Sequence, residues 1–222
     1  MTQAHRTAAV IFDCDGLLVD TESLHEESFE VVLAPLGFRI PPEVYATMVG
    51  TPTAQNFTDL KAMWPALDLP LDELIRRKDA AYKVLLRRVR PMPGAEAIVR
   101  ALAARGVPLA IASSSPRDDV VPCLDALGVT PLFDDRLATV ERVGGAGKPA
   151  PDLYLLAARM LGADPSACVA VEDSQPGLDA AIAAGMRCVA VPSRYTHAQD
   201  FSRAAAVVPS LEAVDPEWLA AL

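Results

Sequence analysis

Asp13 and Asp15 stand two residues apart at the end of a short apolar run, and Gly16 follows them at once. In an extended backbone residues i and i+2 point to the same side, so both acids can face one pocket. There their mutual repulsion calls for a cation, and a divalent metal is the simplest one. The run before them, Ala8 to Phe12, reads as a strand buried on both faces. Strands of that kind in open α/β sheets place ligands beyond their carboxyl ends, where the two aspartates lie. Taken alone, the pair could also be turn formers.

Three further groups of polar residues follow apolar runs or lie in the loops between them: Ser113-Ser114-Ser115, Lys148 in GGAGKPAPD, and Glu172-Asp173 in VAVEDSQPG. Carboxylates suit a hard cation such as Mg2+. Hydroxyls, backbone N–H groups and the Lys148 ammonium suit a phosphoryl group. Ser113 to Ser115 precede Pro116 and can also cap the next helix, and a helix N-terminus itself favours anions. Lys148 precedes Pro149, which restricts it to an extended backbone that aims its side chain.

The elements that must position these groups can be read from the apolar runs. Further strands are expected at Val107 to Ala112, Cys168 to Val171, Cys188 to Val191 and, more weakly, Ala205 to Val208. Helical patterns fall near residues 94–105, 117–127, 151–161 and 176–184, each long enough for a crossover. Alternation of this kind implies an α/β fold, a doubly wound parallel sheet. Residues 17–90 break the alternation with helical patterns near 23–35, 43–49, 54–63 and 71–89, interrupted by Gly37, Pro41-Pro42, Gly50-Thr51-Pro52 and Pro70. The domain reading is therefore a core of residues 1–16 and 91–222, with a helical cap of residues 17–90 inserted after the first strand.

Composition narrows the chemistry. The 222 residues carry 29 acidic against 20 basic side chains, a net charge of -9, which argues against a phosphate-tracking nucleic-acid groove. Small phosphorylated molecules remain as partners, and a pocket lysine then matters more. The four cysteines are far apart with no zinc-ligand spacing and read as buried thiols of a reducing compartment. No segment has the length of a membrane span, and no secretory leader is evident at the start of the chain, so a cytoplasmic protein is expected. A monomer is the default expectation.

On its motifs the chain resembles the haloacid dehalogenase superfamily, in the branch of small phosphatases and β-phosphoglucomutase. The first motif stands as Asp13-Cys14-Asp15-Gly16-Leu17-Leu18-Val19-Asp20-Thr21, the second as Ser113, the third as Lys148-Pro149-Ala150-Pro151-Asp152, and the fourth as Glu172-Asp173-Ser174-Gln175-Pro176-Gly177. The resemblance implies a Rossmann-like core and a Mg2+-dependent enzyme in which Asp13 attacks phosphorus to form an aspartyl-phosphate. Asp15 would protonate the leaving oxygen and then deprotonate water. Mg2+ would be held by the Asp13 carboxylate, the Asp15 main-chain carbonyl and Asp173. Glu172 has two readings, a further metal ligand or an acid favoured at a helix start. Ser113 and Lys148 would serve the transferring phosphoryl group, with Gly16, Ser114, Ser115 and Arg117 in the same loops. In the insertion, His25, Gly50 and Lys78 match substrate-side positions, while Asp20 and Thr21 are expected to cap its first helix.

The insertion departs from the mutase pattern. Mutase caps present an arginine shortly after the glycine matching Gly50, whereas here Thr51, Pro52, Thr53, Ala54 and Gln55 follow and the next positive charge is Lys61. Water is then the easier phosphoryl acceptor, and a phosphatase acting on a sugar or polyol phosphate is expected ahead of a phosphosugar mutase. A phospho-accepting receiver domain shares the aspartyl-phosphate, the metal and the lysine. Its acceptor lies on a middle strand of a shorter chain, however, while Asp13 follows the first.

Overall fold

The computed structural model describes residues 7–133 and 135–222. Residues 1–6, which the sequence reading places in the core, and residue 134 lie outside the described residues. Six parallel strands form one sheet: β1 (Ala9–Phe12), β2 (Leu109–Ser113), β3 (Leu137–Thr139), β4 (Cys168–Glu172), β5 (Arg187–Ala190) and β6 (Ala206–Val207), in the order β3-β2-β1-β4-β5-β6. The helices are α1 (Glu22–Leu33), α2 (Pro42–Met48), α3 (Thr53–Met63), α4 (Leu71–Leu85), α5 (Ala95–Ala104), α6 (Arg117–Leu127), α7 (Thr130–Phe133), α8 (Asp152–Leu161), α9 (Gln175–Ala183) and α10 (Pro216–Ala221). The chain divides into two compact units, one of residues up to Asp20 together with Arg90–Leu222, the other Thr21–Val89. No helix among the described residues is long and apolar enough to cross a membrane.

In the first unit β1 is central, paired to β2 on one side and β4 on the other, and every one of its residues is buried. That double pairing explains its unbroken apolar run, since both faces meet helices and neither meets water. From β1 the strand order runs outward to β2 and β3, then resumes on the opposite side at β4. The β1–β4 boundary is thus the switch point at which an open sheet leaves a crevice. Alanines on β1, β2, β4 and β5 pack with Leu153, Tyr154, Ala157 and Ala158 of α8 and with Leu178, Ala180 and Ala181 of α9. These small residues let the helices approach the sheet closely. All four cysteines are buried and free.

Several boundaries differ from the sequence expectation. β3 was not anticipated: it has only three residues, too few to show a period, and directly follows the charged Arg136. β2 starts after Pro108 rather than at Val107 and extends to Ser113, and the last strand shrinks to two residues. Leu17 to Asp20 group with the first unit. There Leu17, Leu18 and Val19 are buried, and Met92 donates its N–H to the Leu18 carbonyl at 2.9 Å.

The second unit is all helical. α1 and α4 pack on each other, and α3 packs on α4. Phe29 meets Phe57 at 5.0 Å and Tyr45 at 6.4 Å between ring centroids. Buried Asn56 donates to the carbonyls of Met48 and Thr51, at 3.2 and 3.1 Å, and so stitches the α2–α3 turn that contains Gly50. Thr21 occupies the N-cap position of α1, but its side chain makes no capping hydrogen bond, contrary to expectation.

Candidate active site

Asp13 follows β1 directly, and its N–H still donates to the Val171 carbonyl of β4 at 3.0 Å, so the β-ladder itself fixes where its side chain begins. The chain then turns sharply: Leu18 N–H donates to the Cys14 carbonyl at 3.0 Å and Gly16 N–H to the Val19 carbonyl at 2.9 Å. Gly16 adopts φ 77°, and a Cβ there would lie 2.5 Å from the Asp173 Oδ2 atom. Any side chain at residue 16 would both strain the backbone and push Asp173 out of place. Gly16, anticipated as a phosphate-side residue, thus makes room for a carboxylate.

Lys148 arrives from the loop before α8. Its ammonium is almost fully buried and bridges Asp13 Oδ1 and Glu172 Oε1, the latter at 2.6 Å. Burial works against this charge, but Asp13 and Glu172 outweigh it and hold the ammonium above the usual lysine range. Burial likewise pushes the Asp13 carboxyl well above the usual carboxylate range; Lys148 pulls it back, while Glu172 and Asp15 add to the rise.

Glu172, at the end of β4, is fully buried and surrounded by donors. Its Oε1 accepts from the Tyr154 hydroxyl at 2.7 Å, and its Oε2 from the N–H of Asp173 at 3.2 Å and the hydroxyl of Ser174 at 3.2 Å. A Cβ on Gly177 would sit 1.9 Å from the Glu172 carboxyl carbon, so the first turn of α9 can close on this acid only with glycine there. Glu172 therefore holds the start of α9, where one of its two sequence readings put it, and it also anchors Lys148, which neither reading included. Asp13, Glu172 and Asp173 each offer a carboxylate oxygen, and these atoms lie within 4.8 Å of one another, a set that could hold a metal ion.

The β2 end supplies hydroxyls. Ser113 Oγ donates to Asp15 Oδ2 at 2.9 Å and accepts from the Ser115 N–H at 2.9 Å, so its hydroxyl orients Asp15. Ser114 Oγ accepts from the Lys148 N–H at 3.1 Å, tying the serine loop to the lysine loop. Arg117 does not join them. Its N–H donates to Glu141 at 2.8 Å and its exposed guanidinium faces Asp135 at 3.4 Å.

The three anticipated residues of the insertion belong to the second unit. Gly50 is exposed in the α2–α3 turn. Lys78, 3 % exposed, places Nζ 2.8 Å from His25 Nδ1, and the imidazole stacks on Tyr82 with ring centroids 4.0 Å apart. Burial, and then the Lys78 ammonium, hold the His25 imidazole down at about 3, so near neutrality it is an uncharged acceptor. Lys61 donates to the carbonyls of Leu67 and Leu69, at 2.8 and 2.6 Å, and is committed to its own loop.

Sequence reasoning missed Tyr154. Its only signal is a hydroxyl-bearing ring on the apolar face of α8, a position that normally signifies packing; the ring lies 5.2 Å from Lys148 Nζ and is fully buried. Burial, and then Glu172, push its phenol well above the usual range, so it stays protonated and donates.

Residues 7–185 match the family model described as haloacid dehalogenase-like hydrolase. The chain is 35 % identical over 213 residues to the "Probable pseudouridine-5'-phosphatase" of Drosophila melanogaster, covering 93 % of this chain and 91 % of that one. Among solved structures it is similar to CbbY from Rhodobacter sphaeroides in complex with phosphate, at 30 % identity and TM-score 0.80 over 92 % of this chain and 95 % of that one. A mutant of CbbY in complex with xylulose-(1,5)bisphosphate gives 29 % identity and TM-score 0.80 over the same 92 % and 95 %. A β-phosphoglucomutase from Clostridium difficile, 23 % identical with TM-score 0.78 over 96 % of this chain and 95 % of that one, shares the fold.

Proposed function

The chain belongs to the haloacid dehalogenase-like hydrolases and is a phosphatase of that family, and we propose that it hydrolyses a sugar or polyol phosphate through a phosphorylated Asp13. The observation that carries this reading is the charge balance at the end of β1. Asp13, Asp15, Glu172 and Asp173 set four carboxylates against the single ammonium of Lys148. So acidic a cluster suits a small hard cation, and its oxygen-only donors suit Mg2+. Asp13, Asp173 and the Asp15 carbonyl would hold the ion, with Glu172 beside them, and when bound it would neutralise charge on the phosphoryl oxygens.

The protein's own groups then divide the work. An Asp13 oxygen forms the bond to phosphorus as the ester oxygen leaves, taking a proton from Asp15. Water next attacks the phosphorus of the aspartyl-phosphate, gives its proton to Asp15 and releases inorganic phosphate, restoring the Asp13 carboxylate. Ser113 holds the Asp15 carboxyl in place through both steps. Lys148, fixed by Glu172, supplies positive charge beside the attacking oxygen. Ser115 N–H is taken by Ser113 Oγ, whereas the Ser114 hydroxyl accepts from Lys148 N–H and keeps its own proton to donate to a phosphoryl oxygen.

We take water rather than a second sugar hydroxyl as the final acceptor: of the second unit's lysines, Lys61 is spent on two carbonyls and Lys78 is buried against His25, which gives the mutase alternative less support. For the substrate class, support comes from what two relatives are called: a probable pseudouridine-5'-phosphatase, and a CbbY mutant in complex with xylulose-(1,5)bisphosphate.

The test is a phosphate-release assay over a panel of sugar phosphates, polyol phosphates and nucleotides, run beside conversion of β-glucose 1-phosphate with a bisphosphate activator. Many turnovers per site are expected on at least one sugar or polyol ester, abolished by chelator and restored by Mg2+. Isomerisation without phosphate release would favour the mutase, and a single stoichiometric labelling would sink the enzyme reading.

A further inference from the structure

The loop after β5 carries Thr196, which is 1 % exposed and lies far in sequence from the four motifs. Its hydroxyl donates to the Asp173 carbonyl at 2.6 Å and accepts from the Ser193 N–H at 2.9 Å. A hydroxyl has one proton to give, and here the Asp173 main chain takes it. The loop is itself folded around this contact: Thr196 and His197 donate their N–H groups to the Ser193 carbonyl at 3.2 and 3.0 Å, and Gln199 donates to the Thr196 carbonyl at 2.9 Å. Gln199 then reaches the same turn a second time, its Oε1 accepting from the Gln175 N–H at 2.7 Å, while Gln175 Oε1 accepts from Asp200 at 3.3 Å. One loop thus grips the chain on both sides of Ser174.

We propose that Thr196 is a positioning residue for Asp173, and that residues 193–200 form a clamp that sets the affinity of the acidic cluster for its divalent cation. A Cβ at residue 16 would lie 2.5 Å from Asp173 Oδ2, so the turn after β1 leaves this carboxylate only the space that a glycine gives it. A small movement of the Asp173 carbonyl therefore becomes a movement of the carboxylate relative to Asp13. Partners behind a metal ligand, rather than touching the metal, characteristically act in this way. The proposal rests on the reading of Asp173 as a metal ligand, and the experiment separates the two.

Mg2+ binding to the full chain is measured by titration calorimetry for the wild type, Thr196→Val, Thr196→Ser and Asp173→Asn, with melting temperatures taken in chelator. Thr196→Val keeps the shape and removes the hydroxyl; Mg2+ affinity is expected to fall about tenfold or more, with Thr196→Ser restoring most of it. At saturating Mg2+ the Thr196→Val turnover should recover to within a few-fold of wild type, which a general loss of structure would not allow. Wild-type affinity in folded Thr196→Val, or an equal loss in Thr196→Ser, overturns the proposal. If Thr196→Val does not fold, Gln199→Ala releases the second grip: weaker binding supports the clamp and unchanged binding overturns it. Asp173→Asn should lose Mg2+ binding; retention there defeats the metal-ligand reading, whereas loss there with normal Thr196→Val defeats only the clamp.

Discussion

Asp13→Asn should reduce phosphate release to background, a loss of at least about four orders of magnitude in kcat, while leaving the fold in place. Asparagine has nearly the same shape, and its amide oxygen can still accept from Lys148. What disappears is the anionic oxygen that bonds to phosphorus and one charge of the cation site. Substrate binding should be much less affected, because the serine loop and Lys148 remain. The expected signature is therefore a collapse of kcat with a substrate dissociation constant close to wild type. Steady-state kinetics with equilibrium binding of the best substrate check this, and appreciable turnover by Asp13→Asn would remove Asp13 as nucleophile.

Lys148→Ala carries the second large effect, and it acts on stability as well as rate. The ammonium bridges Asp13 and Glu172, both buried, so its removal leaves two carboxylates facing each other without their shared cation, although Glu172 keeps its hydrogen bonds from Tyr154 and Ser174. Breaking a buried pair from one side costs roughly 3–5 kcal/mol. Loss of a fixed positive charge beside the reacting oxygens should lower kcat by about two to three orders of magnitude. Mg2+ should raise the melting temperature of Lys148→Ala more than that of the wild type, since it becomes the only cation in the cluster. Thermal unfolding with and without Mg2+ tests this, and a variant as stable as wild type in chelator would show that Lys148 is not needed to offset the acids.

The strands that build the site were legible because β1, β2, β4 and β5 are buried on both faces and so appear as short apolar runs. β3 was not, since three residues at a sheet edge take their burial from β2 rather than from any pattern of their own. Asp13, Asp15, Lys148 and Asp173 stood out because charged residues beside buried strands need a reason to be there. Tyr154 and Thr196 did not, because a tyrosine on an apolar helix face and a threonine in a loop are ordinary in sequence. Their importance comes from which carboxylate or carbonyl they meet, and that depends on α8 and the β5 loop converging on β4. Arg117 shows the converse: the start of α6 suggested a phosphate ligand, whereas in the structure its N–H donates to Glu141 and its exposed guanidinium faces Asp135.

The most direct measurement is rapid acid quench of the enzyme during turnover with Mg2+ and its best substrate, followed by mass mapping of the phosphorylated peptide. The account predicts one hydroxylamine-labile phosphoryl group on Asp13, forming and decaying fast enough to carry the steady-state flux and absent in Asp13→Asn. Full-rate phosphate release with no phosphoryl group on Asp13, or with the group on another residue, would contradict it.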